Sequence, residues 1–263
     1  MYAILVDVTK CTGCERCVAA CMEVNPPDSR QVDDDRLNGR DGLSGNRFLA
    51  INKIDDGRFA RKACMHCVEP SCVSACLVGG LTKTKDGPVV YDAAKCIGCR
   101  YCMLACPFHI PRYQWDTTHP LIRKCDMCAE RLHQGQLPAC VEACPNQAII
   151  FGEREQLLKQ AHQTINRRPG RYIPHVWGES EFGGTSVLYL SDVDLQELGW
   201  TEQVQAGIPS LTIPLIEKTP FIGGGVAVGL LAVNWIIRRR MQLAKQRADE
   251  HQVRNQDVPG EDD

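Results

Sequence analysis

Sixteen cysteines carry the chemistry that this 263-residue sequence can perform, and all of them lie between Cys11 and Cys144. They fall into four quartets. The first and third quartets share the spacing C-x2-C-x2-C-x3-C, whereas the second and fourth have a longer middle gap. In chain order, the quartets are Cys11, Cys14, Cys17 and Cys21; Cys64, Cys67, Cys72 and Cys76; Cys96, Cys99, Cys102 and Cys106; and Cys125, Cys128, Cys140 and Cys144.

This spacing is typical of iron–sulfur ligation. A C-x2-C-x2-C loop directs three thiolates at one [4Fe–4S] cluster, and the fourth cysteine, on the helix that leaves the loop, reaches a neighbouring cluster. Structural zinc also takes four thiolates, but usually from two separate C-x2-C pairs. Disulfides between cysteines so close in tight loops rarely satisfy bridge geometry. The pattern therefore predicts [4Fe–4S] clusters, with a structural zinc-binding interaction module as the alternative from another class.

The order of the quartets predicts how they share clusters. A short link between Cys76 and Cys96 pairs the second quartet with the third in one two-cluster module. The first and fourth quartets then pair across it, so that one module is inserted into the other. Exchange of the fourth ligands predicts four complete sites that use every cysteine. Site 1 is Cys11, Cys14, Cys17 and Cys144; site 2 is Cys21, Cys125, Cys128 and Cys140; site 3 is Cys64, Cys67, Cys72 and Cys106; site 4 is Cys76, Cys96, Cys99 and Cys102.

The overall charge excludes one class of partner. The chain has 30 Lys and Arg against 32 Asp and Glu, a formal net charge of −2, which excludes a strongly basic nucleic-acid-binding protein. Each oxidised four-thiolate cluster adds roughly −2, which neighbouring cations must offset. Basic side chains that flank the quartets are either such counter-charges or solvated surface groups: Arg61, Lys62, Lys95, Arg100, Arg123 and Lys124.

The sequence gives no support for catalysis on a substrate. With every cysteine assigned to a cluster, no thiol is left as a nucleophile. The chain also has no Gly-rich phosphate loop, G-x-S-x-G elbow or H-E-x-x-H helix. His66 and His109 lie beside quartets, and we expect them to pack near the clusters rather than to bind iron. These features predict electron conduction and not an enzyme that acts alone.

Short apolar runs beside the quartets predict the elements that position them. YAILVD, PVVYD and AIIF are typical of strands, and each C-x3-C step suits one helical turn. Residues 1–150 are expected to form the cluster domain, with a surface loop inserted at about residues 22–60. Residues 151–210 are expected to add a helix, EREQLLKQAHQTI, and a strand, SVLYL. The predicted fold class is α+β, with two interleaved two-cluster modules.

An uncharged run at residues 220–237 predicts a single transmembrane helix within an anchor at residues 211–240. As a helix this run spans about 27 Å, close to the ~30 Å hydrocarbon core of a bilayer. A buried core helix is the alternative, and Asn234 weakens the transmembrane prediction. Gly225 and Gly229 form G-x-x-x-G, a face that another membrane helix can approach. The polar tail at residues 241–263 is expected to fray.

The charges that flank this run predict its orientation. One lysine, Lys218, precedes the run, and five basic residues follow it: Arg238, Arg239, Arg240, Lys245 and Arg247. The positive-inside rule then places the C-terminus in the cytoplasm and the cluster domain outside a bacterial or archaeal cytoplasmic membrane. The first ten residues show neither a secretory signal nor a twin-arginine motif. We therefore expect the domain to gain its clusters in the cytoplasm and to be exported folded, bound to a signal-bearing partner.

Over nearly its whole length the chain resembles the four-cluster, ferredoxin-like iron–sulfur subunits of respiratory membrane oxidoreductases. The nearest in pattern are the beta subunit of formate dehydrogenase and the iron–sulfur subunit of membrane-bound nickel–iron hydrogenase. The chain departs from the family where CLVGG ends the second quartet, because proline is common there. The resemblance rests on CMHCVEPSCVSAC, CIGCRYCMLACPFHIPRY, KCDMCAERLHQGQLPACVEACPNQAIIFG and GGTSVLYL.

That resemblance implies four [4Fe–4S] clusters between a catalytic subunit and an integral membrane subunit that reacts with quinone. The catalytic partner would be a molybdopterin enzyme, such as formate dehydrogenase, or a nickel–iron hydrogenase. The membrane partner would be a haem-b cytochrome or a haem-free subunit of several helices. A cytoplasm-facing iron–sulfur subunit of another quinone-linked oxidoreductase is the alternative within the class.

Overall fold

The computed structural model of the chain describes residues 1–26, 41–55, 57–115, 117–198, 200 and 207–256. Its strands are β1 (Tyr2–Asp7), β2 (Ala50–Asp55), β3 (Arg58–Lys62), β4 (Leu81–Lys83), β5 (Val89–Tyr91), β6 (Arg112–Tyr113), β7 (Ile122–Arg123), β8 (Ile149–Glu153) and β9 (Val187–Leu190). Its helices are α1 (Arg16–Val24), α2 (Ser71–Ser74), α3 (Tyr101–Ala105), α4 (Ala129–His133), α5 (Ala139–Glu142), α6 (Arg154–Arg167) and α7 (Ile208–Gln256). The fold is therefore a mixture of helix and sheet, as predicted.

The chain divides into two compact units, Met1–Leu211 and Thr212–Asp263. The cysteines all belong to the first unit. Its main sheet has the order β8-β1-β9, in which β1 runs antiparallel to β8 and parallel to β9. Strand β1 is buried from its second residue onward because it lies at the centre of that sheet. The predicted strands YAILVD, PVVYD, AIIF and SVLYL are confirmed as β1, β5, β8 and β9.

Strand and helix pairing follows the order of the quartets. Strand β1, before the first quartet, pairs with β8, which follows the fourth. Strand β4, after the second quartet, pairs in the same antiparallel way with β5, which precedes the third. The helices agree, because α1 packs against α5 and α2 packs against α3. The first quartet therefore lies beside the fourth, and the second lies beside the third.

The repeated sequence D-x-x-K-C builds the same turn before the first and third quartets. The carboxylate of Asp7 accepts from the Thr9 N–H, and that of Asp92 accepts from the Ala94 N–H. Each caps a single 3-10 turn that delivers the first cysteine of its quartet. A glycine two residues further on, Gly13 in one copy, then adopts a φ of +71°. Only glycine adopts this left-handed conformation without strain, so the loop can curl around the space between its thiols.

The segment predicted as a surface loop differs from that expectation. Residues 50–55 and 58–62 pair as the antiparallel strands β2 and β3, and Leu43, Leu49 and Ala60 are buried. The physical reason is the run FLAINKI, which brings enough apolar surface to join the core. The part of the predicted loop at residues 27–40 lies outside the described residues.

The second unit consists of most of helix α7. The helix is long and apolar enough to cross a membrane, and its apolar window has a mean hydropathy of 1.8 with none of its residues buried within the protein. It begins before the predicted span and continues beyond it, because the arginines and later polar residues are good helix formers. The predicted fraying tail is helical to Gln256, and residues 257–263 lie outside the described residues.

Candidate metal centres

Site 1 lies around a cavity under the first quartet. The thiols of Cys11, Cys14, Cys17 and Cys144 all line it. One wall is closed by the buried side chain of Arg61. Cys14 is exposed and Cys17 is buried, so the cavity is reached by solvent on one side only.

Site 2 lies around a second cavity. It is lined by the fourth cysteine of the first quartet together with three from the last: Cys21, Cys125, Cys128 and Cys140. All four thiols are buried, and Arg61 lines this cavity too. Burial raises the pKa of the Cys21 thiol to about 12. A thiolate here therefore needs a metal or a nearby cation to be stable.

Site 3 brings together the first three cysteines of the second quartet and the last cysteine of the third. Burial, reinforced by the charges of its neighbours Cys64, Cys106 and Cys72, raises the pKa of the Cys67 thiol well above its ordinary value. The Cys106 sulfur accepts the Ile110 N–H at 3.5 Å. These thiols lie close enough to act on one another electrostatically.

Site 4 brings together the last cysteine of the second quartet and the first three cysteines of the third. Burial and the neighbouring Cys76, Cys96 and Cys99 raise the pKa of the Cys102 thiol to about 11. Backbone N–H groups donate to two of the sulfurs. Gly80 donates to Cys76 at 3.1 Å, and Gly98 donates to Cys96 at 3.4 Å. Such N–H donors stabilise negative charge on cluster sulfur.

Each of the four groups of thiols has a cysteine of the next group among its neighbours, from site 1 to site 4. Cys17 of site 1 has Cys140 of site 2 among its charged neighbours. Cys125 of site 2 has Cys64 of site 3, and Cys72 of site 3 has Cys102 of site 4. All sixteen cysteines are free thiols. Among the described residues, no three Cys, His, Asp or Glu side chains converge on a point where a single metal ion would sit. At sites 1 and 2 the thiols line cavities instead.

Five of the six flanking basic residues fall into three kinds, and the sixth, Arg123, is half-buried over the Phe48 ring. Lys95 and Arg100 are exposed, as expected of solvated charges. Arg61 and Lys124 are buried, and their positive charges act on the thiols around them. Lys62 is also buried, but its ammonium lies 3.3 Å from the Asp41 carboxylate and is paired with it. The alternatives that the sequence left open are therefore both realised, at different positions.

The two histidines beside the quartets lie in different environments. His109 is exposed. His66 is fully buried, and its Nδ1 accepts the Val89 N–H at 2.9 Å. Burial, together with the positive charges of Lys124, Lys83 and Arg61, lowers its pKa well below the ordinary value, so the ring is neutral. A neutral ring that accepts at Nδ1 carries its proton at Nε2.

The chain is similar to known iron–sulfur proteins. Residues 56–154 match the family model of the 4Fe–4S dicluster domain. A protein of Nitratidesulfovibrio vulgaris is 41% identical over 254 residues, which cover 92% of this chain and 68% of that protein. The hydrogenase-2 operon protein HybA of Escherichia coli O157:H7 is 37% identical over 233 residues, 74% of this chain and 71% of that protein. The iron–sulfur subunit of the nitrate-inducible formate dehydrogenase of Escherichia coli K12 is 34% identical over 210 residues, 74% of this chain and 70% of that subunit.

The chain therefore belongs to the ferredoxin-like iron–sulfur subunits of respiratory oxidoreductases. It is an electron-transfer subunit, and the chemistry on the substrate takes place in other subunits. The predicted family, function and non-catalytic role are confirmed, and the zinc-binding alternative loses its support. Membership of this family and the apolar helix α7 together support membrane association.

Proposed function

We propose that the chain holds four [4Fe–4S] clusters, one each at sites 1 to 4. The observation that carries the proposal is the sorting of sixteen thiols into four groups of four, each drawn from two quartets. When bound, such clusters accept and release single electrons at potentials set by their surroundings. The proposal gives two interleaved modules. The first and fourth quartets hold sites 1 and 2, and the second and third quartets, inserted between them, hold sites 3 and 4.

The contacts between sites support a linear order, from site 1 through sites 2 and 3 to site 4. Cysteines of consecutive sites act on one another at each of the three junctions, including the junction between modules at Cys125 and Cys64. Helix α1 carries ligands of both site 1 and site 2 on neighbouring turns, because Cys17 and Cys21 lie four residues apart. The protein thereby fixes the spacing of adjacent sites through a rigid element.

The surface around site 4 has the character of a docking surface. Three large apolar side chains near its cysteines are strongly exposed, namely Leu77 at 72%, Ile97 at 64% and Leu104 at 83%. Trp115 is also exposed and stacks with the Arg100 guanidinium, 5.2 Å from its ring centre. Contiguous exposed apolar groups mark protein interfaces. A partner subunit that covers this surface would receive electrons from site 4 or deliver them to it.

We further infer that helix α7 crosses the membrane with the cluster domain on the outer side. Three arginines, Arg238, Arg239 and Arg240, follow the apolar run at once, whereas Lys218 alone precedes it. Positive-inside asymmetry supports a cytoplasmic C-terminus. Protease treatment of intact spheroplasts would cleave the cluster domain if this is correct. A cluster domain that is protected until the membrane is broken would refute the orientation.

In the proposed complex, the catalytic subunit is a molybdopterin enzyme or a nickel–iron hydrogenase, and an integral membrane subunit exchanges electrons with quinone. The names of the relatives support both kinds of catalytic partner, since one belongs to a hydrogenase-2 operon and another to formate dehydrogenase. Metal analysis of the intact complex, purified through this chain, distinguishes them. Molybdenum or tungsten indicates the first partner and nickel the second.

The electron-transfer role is tested by a change in one ligand. In the intact complex, Cys99→Ala removes a site 4 ligand. We expect quinone reduction by the complex to fall at least tenfold while dye reduction by the catalytic subunit is retained. Lys95→Gln, a change at an exposed neighbour, serves as the control and should leave both activities unchanged. Undiminished quinone reduction by Cys99→Ala would contradict the proposed path.

A further inference from the structure

The side chain of Arg61 lies between sites 1 and 2 with no solvent around it. Its exposed fraction is 1%, and it lines the cavities of both sites. Its Nη2 lies 3.9 Å from the Cys125 sulfur. An arginine side chain keeps its proton in proteins even when it is buried. The group is therefore a permanent positive charge held among cluster ligands of two sites.

Two of the donor atoms of this guanidinium have no protein partner. Within the described residues, Nε and Nη1 are buried and make no hydrogen bond. A buried cation is expensive to desolvate, and buried donors without acceptors add to that expense. Guanidinium donors diverge in a fixed fork, so Nε and the two terminal nitrogens address different directions. The cysteine thiols that line the two cavities surround the fork.

The backbone around Arg61 keeps it in this position. Its carbonyl accepts the Tyr189 hydroxyl at 2.7 Å, across from strand β9. On the same strand, the Arg58 guanidinium pairs with the Asp192 carboxylate. Strand β3 is therefore tied at two points to the segment that carries β9. These two contacts fix the backbone from which the Arg61 side chain extends.

Lys124 provides an internal comparison. It stands in the second of two Arg-Lys pairs, immediately before the fourth quartet, and its side chain is also buried. Its ammonium, however, donates to the carbonyl oxygens of Val89 and Cys125. Those carbonyls satisfy the charge of Lys124, whereas two donor atoms of Arg61 have no acceptor among the described residues. The difference separates a cation with its own acceptors from one that needs acceptors in the cavities.

We propose that Arg61 donates hydrogen bonds to the sulfur atoms held at both site 1 and site 2, and that it raises the reduction potential of both clusters. The inference rests on the four-cluster proposal above. Reduction adds one negative charge to a cluster, and a fixed cation with hydrogen bonds to its sulfurs stabilises that charge. Arg61 would therefore raise the potentials of two adjacent clusters.

The test is a redox titration of the intact complex followed by electron paramagnetic resonance, in the wild type, Arg61→Gln and Arg61→Lys. For Arg61→Gln we expect two of the four cluster reductions to become at least tenfold less favourable, a fall of about 59 mV each for one electron. Arg61→Lys keeps the charge but loses the fork, so the same two potentials should fall by less. Lys159→Gln removes an exposed charge on helix α6, away from the four sites, and should change every equilibrium by less than twofold.

Iron content separates the two proposals. Fewer than four clusters in the wild type would defeat the four-site proposal, whatever the variants do. A wild type and an Arg61→Gln protein that both hold about sixteen irons, with four unchanged potentials, would overturn the role of Arg61. If Arg61→Gln does not assemble, Arg61→Lys decides the matter. Potentials identical to those of the wild type would show that the fork makes no contribution.

Discussion

Sites 2 and 3, the inner sites, differ from sites 1 and 4, the outer sites, in how deeply their thiols are buried. At site 2 all four cysteines are buried, and at site 3 three are buried. At sites 1 and 4 one cysteine each is buried, and Cys14 is exposed. The inner pair is thus surrounded by protein, whereas the outer pair lies near the surface. A relay needs this difference, because its ends must exchange electrons with other subunits and its middle must not lose them to solvent.

The difference also indicates what sets the properties of each cluster. At the inner sites, groups of this chain surround the thiols, including Arg61 at site 2 and Lys124 near site 3. At the outer sites, part of the surroundings is supplied by solvent or by a partner subunit. Changes to the inner sites should therefore affect the fold and more than one cluster, while changes to the outer sites should act locally.

The largest expected effect comes from removing a ligand at the inner end of this comparison. Cys125→Ala removes a fully buried thiolate that faces Arg61 and lies beside Cys64 of the next site. Loss of one partner of a buried charge pair costs about 3–5 kcal/mol. We expect loss of more than one cluster's iron and a large fall in thermal stability, measured by iron assay and thermal unfolding of the anaerobic complex.

Cys14→Ala is the matched change at an exposed ligand of site 1. It should remove at most the iron of one cluster and leave the fold intact. Equal iron loss and equal destabilisation by the two variants would break the distinction between inner and outer sites.

Glycine substitutions sharpen the comparison between the two outer sites. An alanine Cβ at Gly13 would lie 2.9 Å from the Phe59 ring, whereas at Gly98 it would lie 3.1 Å from the Tyr113 hydroxyl, the far end of a longer side chain. Both backbones are left-handed, which by itself costs an alanine about 1 kcal/mol. We expect Gly13→Ala to lower the free energy of unfolding by about 3 kcal/mol and Gly98→Ala by about 1–2 kcal/mol, both measured by chemical denaturation.

Gly135 supplies the control for this pair. It has a φ of +75° with nothing within 4 Å of an added Cβ, so Gly135→Ala measures the backbone strain alone. A result in which all three alanine variants are equally destabilised would show that the ring contact at site 1 adds nothing.

A smaller effect is expected from the hydrogen bond that fixes the backbone of Arg61. Tyr189→Phe leaves the buried Arg61 carbonyl without the hydroxyl that now donates to it. An unsatisfied buried carbonyl costs about 1–3 kcal/mol. The free energy of unfolding should fall by about that amount. Tyr101→Phe, at an exposed tyrosine, should have no measurable effect on the free energy of unfolding. An equally large fall for Tyr101→Phe would show that the hydrogen bond from Tyr189 is not the cause.

The smallest effect concerns the ion pair between Arg58 and Asp192. The hydrogen bond from Arg58 holds the pKa of Asp192 below its usual range. Its contribution to stability is therefore present above about pH 4 and is lost as the pH falls through the lowered value. Because the pair is partly exposed, Asp192→Asn should cost less than about 1 kcal/mol at pH 7. The two proteins should approach equal stability once the pH lies well below the lowered pKa of Asp192, and a difference that persists there would contradict this origin.

The sequence predicts the strands and turns beside the cysteines better than the rest of the structure. Cysteine spacing and the repeated D-x-x-K-C turn are local features, because each is decided within a few residues. The hairpin of β2 and β3 was missed because its strands follow a polar segment and depend on distant partners such as Tyr189 for their place. The role of Arg61 has no local signal either. Six basic residues flank the quartets, and only tertiary packing distinguishes the buried ones.

The ends of helix α7 show the same limit. Hydropathy predicts the apolar part of the helix at residues 220–237, but it carries no information on where the hydrogen-bonded helix stops. The structure extends the helix to Ile208–Gln256, through Pro214 and Pro220. Helix propensity of the charged residues after the apolar run decides that end, and propensity is read poorly from hydropathy.

The most direct test of the central claim is the iron content of the chain in the anaerobically purified complex, combined with a count of its one-electron reductions. Iron of the partner subunits is determined separately and subtracted. Sixteen thiols in four complete sites predict about sixteen irons and four reductions assigned to this chain. Zinc in place of iron, or a folded complex whose chain holds about eight irons and two reductions, would contradict the account.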